Sequence, residues 1–247
     1  MTTSAHHPSA GPRPLEWVKP PLQARSQKTM ERLLDAAEAM ITDQGLDGAT
    51  VAEIAKRAGS SVGSFYARFS DKEALVRTVL ERFTTQAQAT ATAVLEPSRW
   101  EGVPVRDALV AMVRFMLQVV EERRGLIVAL LVRSANDPEL NALGQRLHQI
   151  ITLHLHGLIA QRGHGVAHPN PELAVRIAVW MVLSSMETRV LYDEGSGMDL
   201  PDDEVAAEVA EMIIRYVGIE GPERGVEAPP ASGARMALTA DDEPNDD

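Results

Sequence analysis

The chain has no cysteine, which excludes disulfides and thiolate metal sites and makes a reducing cytoplasm the expected setting. Aromatic residues are scarce, at 4% of 247 residues, although the hydrophobic share of 45% is ordinary for a globular protein. No apolar run approaches the roughly 18 residues that span a bilayer. Leu126 to Val132 is among the longest, and Arg133 ends it, so no membrane partner is expected. The first residues carry His and Pro rather than a basic-then-apolar leader, and export is not expected. A nucleophile elbow and a glycine-rich phosphate loop are also missing. His148, His154 and His156 lie close in sequence but do not share a helix face, and no adjacent acid completes a ligand set. Neither a metal nor another cofactor is expected. An enzyme is therefore the weaker reading, to be revived only by a turnover lost on changing Glu187 or His154.

What is present is an excess of acid, with a net charge of −11. At first sight this argues against nucleic acid, but the excess is unevenly spread. Residues 1–85 hold 11 basic and 10 acidic side chains, residues 86–220 hold 11 and 18, and residues 221–247 hold 2 and 7. The N-terminal third is free of the acid excess, as a segment that approaches phosphates requires.

Residues 1–24 are rich in Pro, His, Ser and Gly and read as a disordered arm; residues 221–247 read as a disordered acidic tail. Between them every periodic segment is helical, so an all-α fold of about nine helices is expected. A first helix, about Ser26 to Gln44, carries Met30, Leu33, Leu34, Ala37 and Ile41 on one stripe, and Gly45 supplies its stop. Thr50-x-x-Glu53 and Ser70-x-x-Glu73 read as capping boxes, each opening a helix. Between them Ala58-Gly59-Ser60-Ser61 makes a tight turn before a short helix from Val62 to Arg68. Later starts are read at Pro104, Asn136-Asp137-Pro138, Asn170-Pro171 and Pro201.

Two short helices and a turn within residues 50–69 have the dimensions of a helix-turn-helix. Val51, Ile54, Ala55 and Ala58 form one inner face; Val62, Phe65 and Phe69 form the other. Ser61, Gly63, Ser64, Ala67 and Arg68 are left to look outward. A small, uncharged start to the second helix suits close entry into a major groove, whose walls are phosphate. Such helical pairs also occur where they only pack. A helical interaction protein is the competing reading on spacing alone.

The stretch from Thr50 to Leu75 resembles the signature of the TetR/AcrR-type bacterial regulators. Thr50, Ile54, Ala55, Ala58, Gly59, Ser61, Gly63, Tyr66, Phe69, Lys72 and Leu75 fall in register with it. The resemblance covers about residues 25–83. It implies a homodimer that places one helix-turn-helix per subunit on a near-palindromic, double-stranded operator, and a variable helical domain over residues 84–220. It also implies phosphate contacts at Thr50, Tyr66 and Lys72, and base-edge approach by Ser61, Val62, Gly63 and Ser64. Val62 departs from the polar or basic residue many members carry there; a valine can touch a thymine methyl but cannot hydrogen-bond a guanine. Arg25 and Lys28, around the start of the first helix, are further phosphate candidates.

For the second half, a small, hydrophobic effector is expected from the apolar, Met-bearing middle helices. Candidate pocket residues are Trp100, Met112, Phe115, Met116, His154, Trp180, Met181 and Glu187, plain core being the competing reading for each. Glu187 is a charge in a mostly apolar helix and is expected to pair with Arg189 or Arg176, or to orient a polar ligand. That helix is apolar nearly all round, with one stripe of Leu173, Ile177, Trp180, Met181, Ser184 and Leu191 and another of Val175, Val179, Val182, Met186 and Val190. The second stripe, with Val209, Met212, Ile213 and Tyr216 of the last helix, is the expected dimer interface, a four-helix contact between two subunits.

Overall fold

The computed structural model describes residues 24–160, 166–192 and 200–219, and the side chains from residue 26 onward. The expected N-terminal arm and acidic tail lie outside the described residues. Among the described residues there are nine α-helices and no strand; one short 3₁₀ turn lies at Pro97–Trp100. The helices are α1 Ala24–Gly48, α2 Val51–Arg57, α3 Val62–Tyr66, α4 Lys72–Val94, α5 Val105–Glu122, α6 Arg124–Ser134, α7 Pro138–Ala160, α8 Pro171–Leu191 and α9 Asp202–Val217.

Local chemistry sets most of these boundaries. Regular α1 geometry breaks at Gly45, whose φ of 71° is cheap only for glycine. Thr50 caps α2 and Ser61 caps α3, each side chain accepting from the amide three residues on. The start of α4 differs from expectation. Its cap is Asp71, whose carboxylate accepts from Ala74 N at 2.8 Å, while Ser70 Oγ donates to Asp71 at 3.0 Å. A charged acceptor at a helix N-terminus also meets the dipole favourably, so it displaces the neighbouring serine from the cap. Asp137 caps α7 and Asn170 caps α8.

Burial divides the interior into two cores. The head core collects Leu33, Ala37 and Ile41 of α1, Ile54 of α2, Phe65, Phe69, and Leu75, Val79 and Leu80 of α4. Phe65 and Phe69 are fully buried, each contributing about 1.5–3 kcal/mol. This core is completed by Leu126 and Ala129 of α6 and Leu140 of α7. The head is therefore not closed by residues 25–83, and α4 runs unbroken across the expected boundary at residue 84. The body core is built from α5, α7, α8 and α9 around Leu109, Leu117, Leu158, Ala178, Ala206 and Val217.

Ion pairs reinforce the joint between the two. Glu38 of α1 receives Arg82 of α4 at 2.5 Å and Arg123, just before α6, at 3.3 Å. Arg77 of α4 pairs with Asp137 and Glu139 at the start of α7, and Arg133 of α6 pairs with Glu73 of α4. Asp137 thus holds its own helix start with one oxygen and α4 with the other.

Candidate nucleic-acid interface and effector chamber

The head presents α3 to solvent. Phe65 is buried beneath it, and the outward face carries exposed Ser61, Val62, Gly63, Tyr66 and Ala67, with Ser64 half-buried. Tyr66 is 51% exposed and its ring stands edge-on to Phe65. Val62 is therefore a surface residue, not part of the inner face expected of it, because α3 is only five residues long and Phe65 and Phe69 fill the space below it. Gly63 is informative for what does not surround it. A Cβ added there would meet nothing closer than Ser61 Oγ at 3.8 Å. Glycine inside a helix costs about 0.5–1 kcal/mol against alanine. Packing within the chain gives no return for that cost, and the space above Gly63 is open to solvent.

Several expected phosphate ligands also have work inside the chain. Thr50 Oγ1 accepts from Glu53 N at 3.3 Å and donates to Glu53 Oε2 at 2.7 Å. The expected capping box is thus met only in its first half: the Glu53 carboxylate takes the threonine hydroxyl and not the Thr50 backbone N–H. Ser61 Oγ accepts from Ser64 N at 3.1 Å and donates to Ser64 Oγ at 3.0 Å. Lys72 is half-buried, and its Nζ donates to Leu46 O at 2.6 Å, tying the start of α4 to the end of α1. Arg68, expected to look outward, instead braces α3. It donates from Nη1 to Ser64 O at 2.7 Å and from Nε to Ser26 O at 3.2 Å, joining α3 to the start of α1. An unmatched carbonyl at a helix end attracts a nearby guanidinium, which sequence spacing alone did not reveal. Lys28 and Lys56 are exposed cations on the same domain; the side chain of Arg25 lies outside the described residues.

In the body, α4 to α8 enclose a chamber of about 290 Å³, adjoined by a smaller cavity of about 80 Å³. Phe115 and Met116 border both, and Met112 borders the smaller one. Glu187 reaches the larger chamber, where its partner is His148: Nε2 lies 3.6 Å from Glu187 Oε1. The expected arginine partners are placed otherwise, Arg189 being paired with Asp202 at 2.8 Å and Arg176 exposed. His148 was not expected beside an acid, because the acid comes from another helix. Among the described residues no set of three or more His or acidic side chains could hold a metal ion.

Four expected pocket residues lie elsewhere. Trp100 packs on the body core with its indole N–H donating to Val94 O at 2.9 Å, and His154 bonds the carbonyl one turn back at 2.8 Å. Trp180, 60% exposed, and Met181 are on the outer surface. The two stripes of α8 are in fact exchanged. Val175, Val179, Val182, Met186 and Val190 are buried in the chain's own core, so they cannot form a subunit interface, whereas Leu173, Trp180, Met181 and Leu191 face outward. On α9, Ile213 is buried, Val209 is half-buried, and Met212 and Tyr216 are exposed. Both α8 stripes are apolar, so periodicity alone does not say which one points inward.

Among the described residues no helix is long and apolar enough to cross a membrane. Residues 33–79 match the bacterial regulatory proteins of the tetR family. The HTH-type transcriptional regulator UidR of Escherichia coli K12 is 26% identical over 191 residues, covering 76% of this chain and 90% of that one. The HTH-type regulator YvdT of Bacillus subtilis is 42% identical over 55 residues, 22% of this chain and 28% of that one. In fold, the chain is similar to a TetR-family regulator from Mesorhizobium loti with a TM-score of 0.62 and 21% identity, covering 78% of this chain and 98% of that one.

Proposed function

We propose that this chain, a transcriptional regulator of the tetR family, is a repressor that binds a near-palindromic operator as a homodimer and lets go when a small, largely apolar effector fills the body chamber. Its family consists of transcriptional regulators, not enzymes. The observation that carries the DNA reading is the outward face of α3, where Gly63 leaves space that nothing in the chain uses. Ser61, Val62, Gly63 and Ser64 approach base edges, while Thr50, Tyr66, Lys28 and Lys72 contact phosphate. Lys72 has two further N–H groups after its bond to Leu46, so both roles are compatible. Arg25 is proposed with them by its place at the start of α1.

The release mechanism follows from α6. Ile127, Leu130 and Leu131 line the chamber, while Leu126 and Ala129 of the same helix complete the head core. A ligand that repositions α6 must therefore disturb the seat of α1 and α4, and with it the reading helix. Homodimerisation is assigned to the outward stripe of α8 (Leu173, Trp180, Met181 and Leu191) with Met212 and Tyr216 of α9. This is a set of large apolar side chains that an isolated subunit would leave in water.

A gel shift with the DNA upstream of the chain's own gene tests this reading. A shift that weakens steeply with salt and is reversed by an effector supports it. No shift at low salt would favour the alternative, a helical interaction protein.

A further inference from the structure

We infer that the chamber selects amphipathic ligands whose head donates hydrogen bonds or carries positive charge, with Glu187 as the residue that sets this preference. This rests on the chamber being the effector site. Its lining is divided by helix. Phe83 of α4, Phe115, Met116 and Val120 of α5, and Ile127 and Leu131 of α6 make an apolar interior. Thr84, Thr90 and Ser134 also line it on that side, the hydroxyls of Thr84 and Ser134 being given to carbonyls of their own helices. The larger polar side chains come from the other side: Asn141, Gln145 and His148 of α7, spaced so as to share one helical face, and Glu187 of α8 opposite them. Asn141 and Gln145 are exposed, and His148 and Glu187 are about two-fifths exposed, so the polar side is the mouth. Gly144, between the two amides, leaves open space there, since a Cβ added to it would meet nothing within 4 Å.

The two amides both donate and accept, and so do not decide the sign of the head. Glu187 does. Its ion-pair partner His148 stands at 3.6 Å, too far for a hydrogen bond, and the next cation along α8, Arg189, is turned away to Asp202. Among the described residues no donor is hydrogen-bonded to the Glu187 carboxylate. A carboxylate at the lip of an apolar cavity gains from a ligand that brings its own N–H or cationic group. A carboxylate or phosphate head would meet like charge instead.

The test uses the full chain and three probes with one decyl tail: decylamine, decanol and decanoate, titrated below their micellar concentrations by calorimetry. The amine is expected to bind most tightly and to exceed the carboxylate by about tenfold or more, the size of a hydrogen bond to a charged group. Glu187→Gln is expected to collapse that ratio while leaving decanol little changed, and Glu187→Asp to retain it. Met116→Trp, which fills the chamber, is expected to abolish binding of all three. Equal binding of amine and carboxylate, or tighter binding of the carboxylate, would overturn the head preference and leave the chamber reading standing. Binding of none of the three overturns both. A preference that survives Met116→Trp would place the probes elsewhere and overturn the inference.

Discussion

Gly125 of α6 lies directly against the carbonyl of Ile41 in α1, so close that a Cβ on Gly125 would sit 2.1 Å from that oxygen and 2.9 Å from the carbonyl of Thr42. Two backbones meet here with no side chain between them, at the place where α6, which also lines the chamber, touches the head. Displacement of α6 is therefore passed straight to α1, without a flexible side chain to absorb it. Gly125→Ala is expected to force the two helices apart, costing roughly 1–3 kcal/mol of stability as overpacking does. Operator affinity without effector should fall with it. Denaturant unfolding and a gel shift on the same preparation check both, and a variant as stable as the parent would count against this joint.

Gly63 makes the opposite prediction for stability. Because a methyl there meets only open space, Gly63→Ala should stabilise the fold by about 0.5–1 kcal/mol through helix propensity. The same methyl should obstruct close entry to the groove and weaken operator binding by on the order of tenfold, the size of one lost base-pair contact. Thermal melts and binding isotherms would read the two effects separately. A stabilised variant with undiminished affinity would remove the argument that α3 makes the closest approach.

On the proposed reading, Val62 is expected to govern sequence preference more than affinity. Exposed on α3, it is suited to a thymine methyl and to no hydrogen-bonding edge. Val62→Ala should lose roughly 1 kcal/mol of discrimination at one operator step, within the range a single base contact supplies. Competition with operators carrying uracil in place of thymine at each position locates that step; unchanged selectivity speaks against methyl readout.

The helix boundaries and the helix-turn-helix were legible because they rest on local chemistry: Gly45, the Thr50 and Ser61 caps, and the Asn170-Pro171 start act within a few residues of themselves. What failed to show was set by partners distant in sequence. Arg68 looked free until Ser26, 42 residues away, came beside it. Leu126 and Leu140 looked like body residues until the head proved to need them. The stripes of α8 were hardest, since two apolar faces on one helix carry the same pattern and only the neighbouring helices decide between them. The pairing of His148 with Glu187 was hidden for the same reason: each residue looks unremarkable on its own helix.

The exchange of those stripes gives a clean pair of variants. Trp180→Asp places a charge on an outward, 60% exposed side chain and should leave the subunit folded while splitting the proposed dimer. Val179→Ala removes buried volume from the body core and should cost roughly 2 kcal/mol of stability without acting on the interface directly. Sedimentation velocity separates the two. A Trp180→Asp protein still dimeric at micromolar concentration would contradict the interface assigned here.

Glu81 adds a pH dependence at the head–body joint. It lies on α4 beside Arg77, 3.1 Å away, with its side chain only 13% exposed, and its Oε2 has no hydrogen-bond partner. Burial raises its pKa above the ordinary glutamate value, Arg77 opposing the rise in part and Glu139 and Asp137 adding to it. The folded state thus holds this proton more tightly than the unfolded chain does. At neutral pH the ionised carboxylate costs stability, and that cost is relieved as pH falls through the folded pKa towards the unfolded one. Glu81→Gln does not titrate. It should melt above the parent at neutral pH, and the gap should close in the weakly acidic range just above the ordinary glutamate pKa. Paired melts of parent and variant across that range isolate this group from the other carboxylates, which both proteins share. A gap that widens on acidification would mean that Arg77 outweighs burial and that Glu81 is a net stabiliser of the joint.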